Sequence, residues 1–471
     1  MKKANLFIST FFVFLIVISQ VLAEQEYQLK TLTNLKFDKE IQDVAFDSYN
    51  ENGQTKYYPK IVVLREIDSI ASKGSYTKYA LEVRILDRDG KTIWNLTNLK
   101  YWSNVYFSNR GKYFGVDNIT YKDPSVDYDN REIISSNFTV YNDKGKTIWQ
   151  LPIRIDYNNP IISSYDGSVF MILNEEDAFG VGLDLYDKNG IKHVVMPYAN
   201  FLSDTINTVS RLKVSDDGKF VAAVISRGPS NEMKQHTLTF FDLNGNSLWQ
   251  YLIPEKANGE LNISPKGRFT FIDGRTEIPR PHISKESLIK GSMKLEPPKY
   301  SSANIFIINH KGKLIMQTPI RISYTAEAFS INERFLHFCN YTFTQGELNQ
   351  LILIDLENKK EVFRKEISER PVRAGISDSG WVIEVWEIPD STRELNKRTI
   401  PTSSKFKLCL LNNEGNVITQ SEVQLRAEDI SNLDLSTGAF RVLGWCGNYT
   451  VFGLVEDKSK TIKILSLEKQ Y

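Results

Sequence analysis

The side chains of this 471-residue chain that could do chemistry are few and widely spaced. No Gly-x-Ser-x-Gly motif occurs, so the sequence does not indicate the nucleophile of an α/β-hydrolase. The histidines show no metal-binding spacing such as His-x-x-x-His, and we therefore predict no zinc site. The histidines are His193, His236, His282, His310 and His337. The sequence accordingly predicts no catalytic residue and no metal ligand.

Carboxylates offer two further hypotheses. Glu66, Asp117 and Glu175 each begin a predicted loop and could converge as the paired carboxylates of a glycosidase, which lie about 5 to 10 Å apart. The segment Asp117–Ser136 is acidic and could supply oxygen ligands to Ca²⁺, although we favour a solvated charged loop. Its acidic residues are Asp117, Asp123, Asp127, Asp129 and Glu132.

A basic segment is the candidate partner-binding site. Residues 273–302 carry basic side chains between prolines, and such a segment could bind an acidic partner or an anionic polymer. A disordered surface insert is the alternative reading. The candidate binding residues are Arg275, Arg280, His282, Lys285 and Lys290, followed by Lys294 and Lys299. A third long segment, Glu387–Ser404, mixes both signs and supports no specific hypothesis.

Two short motifs alternate along the chain and must position these segments. The first is an apolar strand, Asp/Asn-x-x-Gly and a second strand, as in Ile85–Trp94 and Val140–Trp149. The glycine, replaced once by Asn358, supplies the positive φ of a tight hairpin turn. The second motif is Ser-x-x-Gly before an apolar strand, as in Val214–Phe220. Such a repeat is typical of four-stranded propeller blades.

The spacing assigns each motif to a turn. The stretch from an Asp-x-x-Gly glycine to the next Ser-x-x-Gly glycine is nearly constant, whereas the stretch within a unit varies widely. Ser-x-x-Gly therefore joins strands one and two of a blade, and Asp-x-x-Gly joins strands three and four. Insertions fall between strands two and three. We expect the three long segments to lie on one face, where variable loops on a rigid scaffold usually bind.

The motifs resemble known families. Ser-Asp-Asp-Gly-Lys-Phe at 215–220 resembles the blades of WD-repeat-like and TolB-type bacterial propellers, and Asp-x-x-Gly-Lys-x-x-Trp at 87–94 is similar to the closing half of the quinoprotein (pyrroloquinoline-quinone) repeat. Quinoprotein dehydrogenases use adjacent cysteines, but Cys339, Cys409 and Cys446 are far apart, so we predict no cofactor. Trp94, Trp149 and Trp249 are interpreted as packing between blades. The resemblance specifies fold rather than function.

The repeat count predicts an all-β, single β-propeller of eight blades, with seven as the alternative. Seven units start near residues 41, 104, 160, 211, 259, 326 and 373. Residues 440–468 supply only three further strands. The N-terminal strand 27–35 is expected to complete that last blade and close the ring, so that no sheet edge stays open.

The N-terminus predicts export. Lys2 and Lys3 precede an apolar run and the small-residue pattern Val21-Leu22-Ala23, which together indicate a signal peptide at 1–23. The domain at 24–471 is then secreted or periplasmic, with no stable membrane span after cleavage, although an uncleaved anchor is the alternative. Three cysteines are too few for a disulfide framework, and Cys339 and Cys409 are interpreted as small buried core residues.

Composition narrows the choice of partner. With 58 basic and 57 acidic residues, the formal charge is +1, which offers no overall basic surplus for nucleic acid. The favoured hypothesis is a non-catalytic, monomeric binding module for a protein or a cell-surface glycan. The alternative is an extracytoplasmic lyase or hydrolase that acts on a polymer at the central channel.

Overall fold

The architecture was read from a computed structural model. No helix long and apolar enough to cross a membrane occurs in the part of the chain that it describes. The predicted signal peptide at 1–23 lies outside that part. The described residues are 27–67, 79–99, 104–107, 112–121, 133–152, 161–164, 167–175, 181–196, 206–228, 235–254, 261–277, 300–320, 325–340, 348–387, 404–425, 440–446, 449–455 and 460–469.

All regular elements of the described residues are β-strands. In chain order they are β1 Tyr27–Lys36, β2 Glu40–Glu51, β3 Gln54–Ile67, β4 Tyr79–Leu86, β5 Thr92–Leu99, β6 Val105–Phe107, β7 Tyr113–Tyr121, β8 Ile133–Asn142, β9 Thr147–Pro152, β10 Ile161–Ser163, β11 Val169–Glu175, β12 Val181–Asp187, β13 Lys192–Met196, β14 Ile206–Val214, β15 Phe220–Gly228, β16 Gln235–Asp242, β17 Ser247–Leu252, β18 Leu261–Ile263, β19 Phe269–Glu277, β20 Tyr300–Asn309, β21 Leu314–Pro319, β22 Thr325–Phe329, β23 Phe335–Asn340, β24 Asn349–Asp355, β25 Lys360–Ile367, β26 Arg370–Ile376, β27 Val382–Glu387, β28 Ser404–Leu411, β29 Val417–Leu425, β30 Phe440–Cys446, β31 Tyr449–Val455 and β32 Thr461–Lys469.

The strands form eight four-stranded antiparallel sheets, which are the blades of an eight-bladed β-propeller. Blade 1 is β2 to β5, and each later blade takes the next four strands, up to β26 to β29 in blade 7. Blade 8 has the order β1-β32-β31-β30, so the first strand of the chain lies beside the last. The predicted eight blades and closure by the N-terminal strand are confirmed. The seven-bladed alternative is not.

Apolar side chains cover both faces of each blade. Along β3, Ile61 and Val63 pack toward blade 2, whereas Val62 and Leu64 pack toward blade 8. Successive strand residues point to opposite faces, so a strand buried on both faces needs a continuous apolar run. The sequence 61–64, Ile-Val-Val-Leu, is such a run.

Each junction between neighbouring blades contains one buried hydrophobic cluster. The cluster between blades 8 and 1 joins Val451 and Ile464 to Ile41, Val44 and Leu64, and therefore closes the ring. The other seven clusters occupy the other seven junctions. The hydrophobic core of this protein is thus distributed between the sheets.

The Asp-x-x-Gly motif forms the predicted turn between strands three and four. Asp87 Oδ1 accepts hydrogen bonds from the backbone N–H groups of Asp89 (3.0 Å) and Lys91 (2.8 Å), and Gly90 has φ +79°. In blade 6, the expected positive φ at Asn358 is wrong. Lys359 takes it instead (φ 52°), and Asn358 donates its backbone and amide N–H groups to Asp355.

The turn glycines also explain the recurring tryptophans. The Cα of Gly145 lies so close to the preceding blade that an added Cβ would be 2.2 Å from the Trp94 ring. Gly190 approaches Trp149 in the same way, and Gly312 approaches Trp249. The interpretation of these tryptophans as packing between blades is confirmed.

This close approach predicts that Gly145→Ala destabilises the protein more than Gly53→Ala. Both glycines have positive φ, at +76° and +78°, so both substitutions incur about 1 kcal/mol of backbone strain. Nothing lies within 4 Å of a Cβ at Gly53. At Gly145 the added overpacking should raise the total loss of unfolding free energy to about 2 to 4 kcal/mol. Denaturant unfolding measures both losses. Equal losses for the two variants would contradict the close approach of Gly145 to Trp94.

Candidate functional site

The long segments leave the propeller at one end. In an antiparallel blade, the connection between strands two and three emerges at the same end as the connection to the next blade, whereas both tight turns lie at the other end. The chain between strands two and three is 122–132 in blade 2, 278–299 in blade 5 and 388–403 in blade 7. The predicted loops were therefore too long, because their first and last residues belong to strands. For example, Asp273 lies within β19 and Ser302 within β20.

Of the predicted partner-binding residues, only the backbone of Arg275 lies in the part of the chain that the structure describes. Arg275 lies in β19, where its backbone pairs with Ala303 of β20. The remaining candidates lie outside the described residues; they are Arg280, His282, Lys285 and Lys290, with Lys294 and Lys299. The acidic residues Asp123, Asp127, Asp129 and Glu132 of the calcium hypothesis also lie outside them.

Asp117 is a buried strand residue and not part of a solvated loop. It lies in β7 with 1% exposure. Its Oδ2 accepts hydrogen bonds from Asn104 Nδ2 (3.0 Å) and the Tyr106 hydroxyl (3.1 Å), and its Oδ1 accepts one from the Asn104 backbone N–H. These bonds tie the innermost strand of blade 2 to β7. Burial raises the pKa of the Asp117 carboxyl to about 6. Its hydrogen bonds from Asn104 and Tyr106 lower the pKa, but the effect of burial is larger.

Asp117 predicts a pH dependence of stability. Its pKa is higher in the folded chain than the ordinary 3.8, so the fold favours the protonated form, and this contribution is lost as the pH rises through about 6. As the pH rises from below about 3 to above about 7, we expect Asp117→Asn to gain about 3 kcal/mol of unfolding free energy relative to the parent. Denaturant unfolding at several pH values measures the difference. The exposed Asp89→Asn is the control, and a flat difference for Asp117→Asn would contradict the prediction.

Glu66 belongs to a chain of ion pairs beside the ring closure. Lys39 Nζ lies 2.8 Å from Glu66 Oε2 and 2.9 Å from Glu82 Oε2, and these two carboxylates raise the pKa of Lys39. Arg84 pairs with Glu82 at 2.5 Å and with Asp38 at 2.8 Å. These groups fix the chain between β1 and β2, so Glu66 has a structural role.

The glycosidase hypothesis also needed Asp117 and Glu175 beside Glu66. Asp117 is buried against its own blade, and the Glu175 side chain lies outside the described residues. Of the two carboxylates whose side chains the structure describes, Glu66 contacts Lys39, and Asp117 contacts Asn104 and Tyr106.

Sequence reasoning missed a buried cluster of His337, Cys339 and Glu384. All three side chains have 0% exposure. The first two lie in β23 of blade 6, and Glu384 lies in β27 of blade 7. Glu384 Oε1 accepts a hydrogen bond from the Cys339 thiol (2.9 Å) and bonds His337 Nε2. The other carboxylate oxygen accepts the indole N–H of Trp386.

Blade alignment alone does not reveal this cluster, because equivalent positions lie in different junctions. Ala222 and Phe271 each follow a turn glycine by four residues, yet the first packs between blades 4 and 5 and the second between blades 5 and 6. Glu384 faces blade 6 because the turn of blade 7 is one residue shorter: the Ser377 N–H donates to the Trp381 carbonyl, whereas the Ser330 N–H donates to the Phe335 carbonyl. The search for His-x-x-x-His suited helices, whereas side chains on one face of a strand lie two residues apart.

The two cysteines whose side chains the structure describes, Cys339 and Cys409, are buried as predicted and form no disulfide, but they differ in environment. Cys409 is the register partner of Glu384 across β27 and β28. Burial, followed by the negative charge of Glu384, raises the pKa of the Cys409 thiol to about 12. Cys339 does more than fill space, because its thiol contacts both other members of the cluster.

A second missed residue is Glu333, which replaces the turn glycine of blade 6. It has φ 63° and 0% exposure, and its side chain enters the Ser-x-x-Gly turn of blade 5. Its Oε1 accepts hydrogen bonds from Ser264 Oγ (2.6 Å) and the Lys266 backbone N–H (2.6 Å). Glu333 therefore joins the turns of blades 5 and 6 through hydrogen bonds.

Comparisons with solved structures show similarity to β-propeller domains. No family profile and no curated sequence matches the chain. Among solved structures, the chain is similar to the WD40 domain of SCAP from fission yeast, with 10% identity and a TM-score of 0.46, over 94% of this chain and 98% of that one. The chain is also similar to Sqt1 from Saccharomyces cerevisiae, with 9% identity and a TM-score of 0.46. That match covers 95% of this chain and 99% of Sqt1.

Another similar structure is Chaetomium thermophilum Sqt1 bound to the N-terminus of the ribosomal protein L10. It is 11% identical with a TM-score of 0.43, and the match covers 93% of this chain and 99% of that one. At this level of similarity the comparisons carry no argument about function. The eight-bladed architecture rests on the strand pairing of this chain itself.

Proposed function

We propose that this chain is an exported, non-catalytic binding module. Its partner is an acidic protein or an acidic cell-surface glycan, and it docks on the end of the propeller that carries the connections between strands two and three. The observation that carries this proposal is that the segments 122–132, 278–299 and 388–403 all leave the blades at that end. Binding commonly resides in such variable segments on a rigid scaffold.

The two strands beneath the blade 5 segment are paired up to the ends of that segment. The strands β19 and β20 stay paired as far as Glu277 and Tyr300, so residues 278–299 begin and end at adjacent points on the rim. Within that segment, the acidic residues are Glu286 and Glu296. The basic residues outnumber them and are Arg280, Lys285, Lys290, Lys294 and Lys299. A local basic surplus on a nearly neutral chain favours an acidic partner.

The enzyme alternative lacks a specific observation in its favour. The buried carboxylates described above, Asp117, Glu333 and Glu384, all accept hydrogen bonds from protein groups and connect strands, turns or blades. Export follows from the signal-like sequence at 1–23 and is part of the proposal, as is the relation to bacterial TolB-type and quinoprotein-type repeats. The module is proposed to act as a monomer.

The proposal predicts that residues 278–299 carry the affinity for polyanions. Replacing them with a short Gly-Ser linker leaves β19 and β20 intact, so the unfolding temperature should stay nearly unchanged. Affinity for heparin-agarose and for immobilised poly-glutamate should fall at least about tenfold at low ionic strength, because the steering charge is removed. Salt-gradient elution and surface plasmon resonance measure the change.

A matched variant in which residues 388–403 are replaced by the same linker serves as the control. It should retain most of the affinity, because that segment is of mixed charge. Unaltered affinity and salt dependence in the 278–299 replacement would contradict the assignment of the binding surface.

A further inference from the structure

The cluster of His337, Cys339 and Glu384 does not belong to the segments proposed to bind the partner. It is enclosed between blades 6 and 7 within the hydrophobic cluster that also contains Phe335, Trp386 and Cys409. Burying a thiol, an imidazole and a carboxylate among apolar side chains costs folding free energy, because each group loses its hydration. The blades elsewhere fill comparable positions with apolar residues, such as Ala222 and Val224 in blade 4.

The three donor atoms are arranged around one point. Each of the side chains offers one ligand atom, and these atoms all lie within 4.8 Å of one another. Cys339 Sγ is 3.5 Å from His337 Nε2. Two atoms held at Zn–S and Zn–N bond lengths with a tetrahedral angle are about 3.6 Å apart. The sulfur and nitrogen are therefore already at the separation that a shared metal ion requires.

We propose that His337 Nε2, Cys339 Sγ and a carboxylate oxygen of Glu384 bind one Zn²⁺ ion between blades 6 and 7. The ligand types select the metal, because thiolate and imidazole favour zinc over Ca²⁺ or Mg²⁺. One thiolate and one carboxylate also neutralise the two positive charges of the ion. The buried site is then neutral, with the uncharged imidazole as its third ligand.

Binding changes the protonation of the cluster. The Cys339 thiol releases its proton, and the neutral His337 carries its single proton on Nδ1, so that the lone pair of Nε2 faces the ion. The contacts of Cys339 and His337 with Glu384 Oε1 are replaced by coordination, whereas the bond from the Trp386 indole to the other carboxylate oxygen remains. Its oxygen, now 2.9 Å from Cys339 Sγ, withdraws by about 0.7 Å to a tetrahedral separation.

The His337 ring is held on one side only. His337 Nδ1 is buried and has no hydrogen-bond partner in the described structure. The metal-free network therefore holds the imidazole through Nε2, by Glu384 and the nearby thiol. Coordination replaces these contacts at the same nitrogen and fixes the orientation of the ring, while the surroundings of Nδ1 stay as they are. The competing account is a metal-free polar network that only joins the two blades.

The test loads the full mature chain with metal during refolding, because the cluster is closed to solvent in the folded state. We expect one Zn²⁺ per chain by elemental analysis. With Co²⁺ as the probe, we expect thiolate-to-metal charge-transfer absorption. Cys339→Ser should abolish that absorption and weaken Zn²⁺ affinity more than about 100-fold. The matched control Cys409→Ser removes another buried thiol from the same junction and should keep it.

X-ray absorption at the zinc edge of the parent protein makes the test independent of how the variants fold. It should show one sulfur together with nitrogen and oxygen ligands. The proposal is overturned if the refolded chain takes up no metal or if the zinc shell contains no sulfur. It is also overturned if Cys409→Ser loses the absorption while Cys339→Ser retains it.

Discussion

Every blade of this protein carries apolar side chains on both faces of its sheet, and neither face can be covered from within the blade. Ile61 and Val62 are neighbours in one strand yet belong to hydrophobic clusters on opposite sides of blade 1. Each blade is therefore buried only when both neighbours are in place, as in other repeat architectures. A ring satisfies this condition for all blades only if its last junction closes. The composite blade 8, built from both ends of the chain, makes that closure.

The same constraint gives the buried polar groups their roles. Asp117 ties the innermost strand of blade 2 to its neighbour, and Glu333 joins the turns of blades 5 and 6. Glu384 connects blades 6 and 7 through His337 and Cys339. Because the junctions exclude water, each carboxylate must find partners across a strand, a turn or a blade. These groups hold the fold together, and the proposed binding surface is built from the segments at the ends of the blades.

Much of the fold could be predicted because the turn motifs that define a blade are recognised within short stretches of sequence. A hairpin needs Asp or Asn to accept two backbone N–H groups and a residue with positive φ, and both requirements are visible within four residues, as at Asp87–Gly90. Blade count and closure followed from repeating those local signals. The exception at Lys359 arose because Asn358 was needed as a hydrogen-bond donor to Asp355.

The buried sites were harder to predict, because they depend on which faces of neighbouring blades pack against each other. Nothing near Asp117 in the sequence separates a strand carboxylate from a loop carboxylate until its partners Asn104 and Tyr106 are placed. The cluster of His337 and Glu384 joins residues 47 apart in the chain. Such residues meet only when the facing surfaces of adjacent blades pack together, so a search for short ligand motifs does not find them.

Closure of the ring by both chain ends is tested most directly by denaturant unfolding of two proteins, one beginning at Glu24 and one beginning at Phe37. The second lacks β1, which leaves the edge of β32 unpaired and uncovers the contacts of Leu29 and Leu35. The account predicts a loss of at least about 3 kcal/mol in unfolding free energy and the end of a single cooperative transition. Equal stability and an unchanged single transition would contradict it.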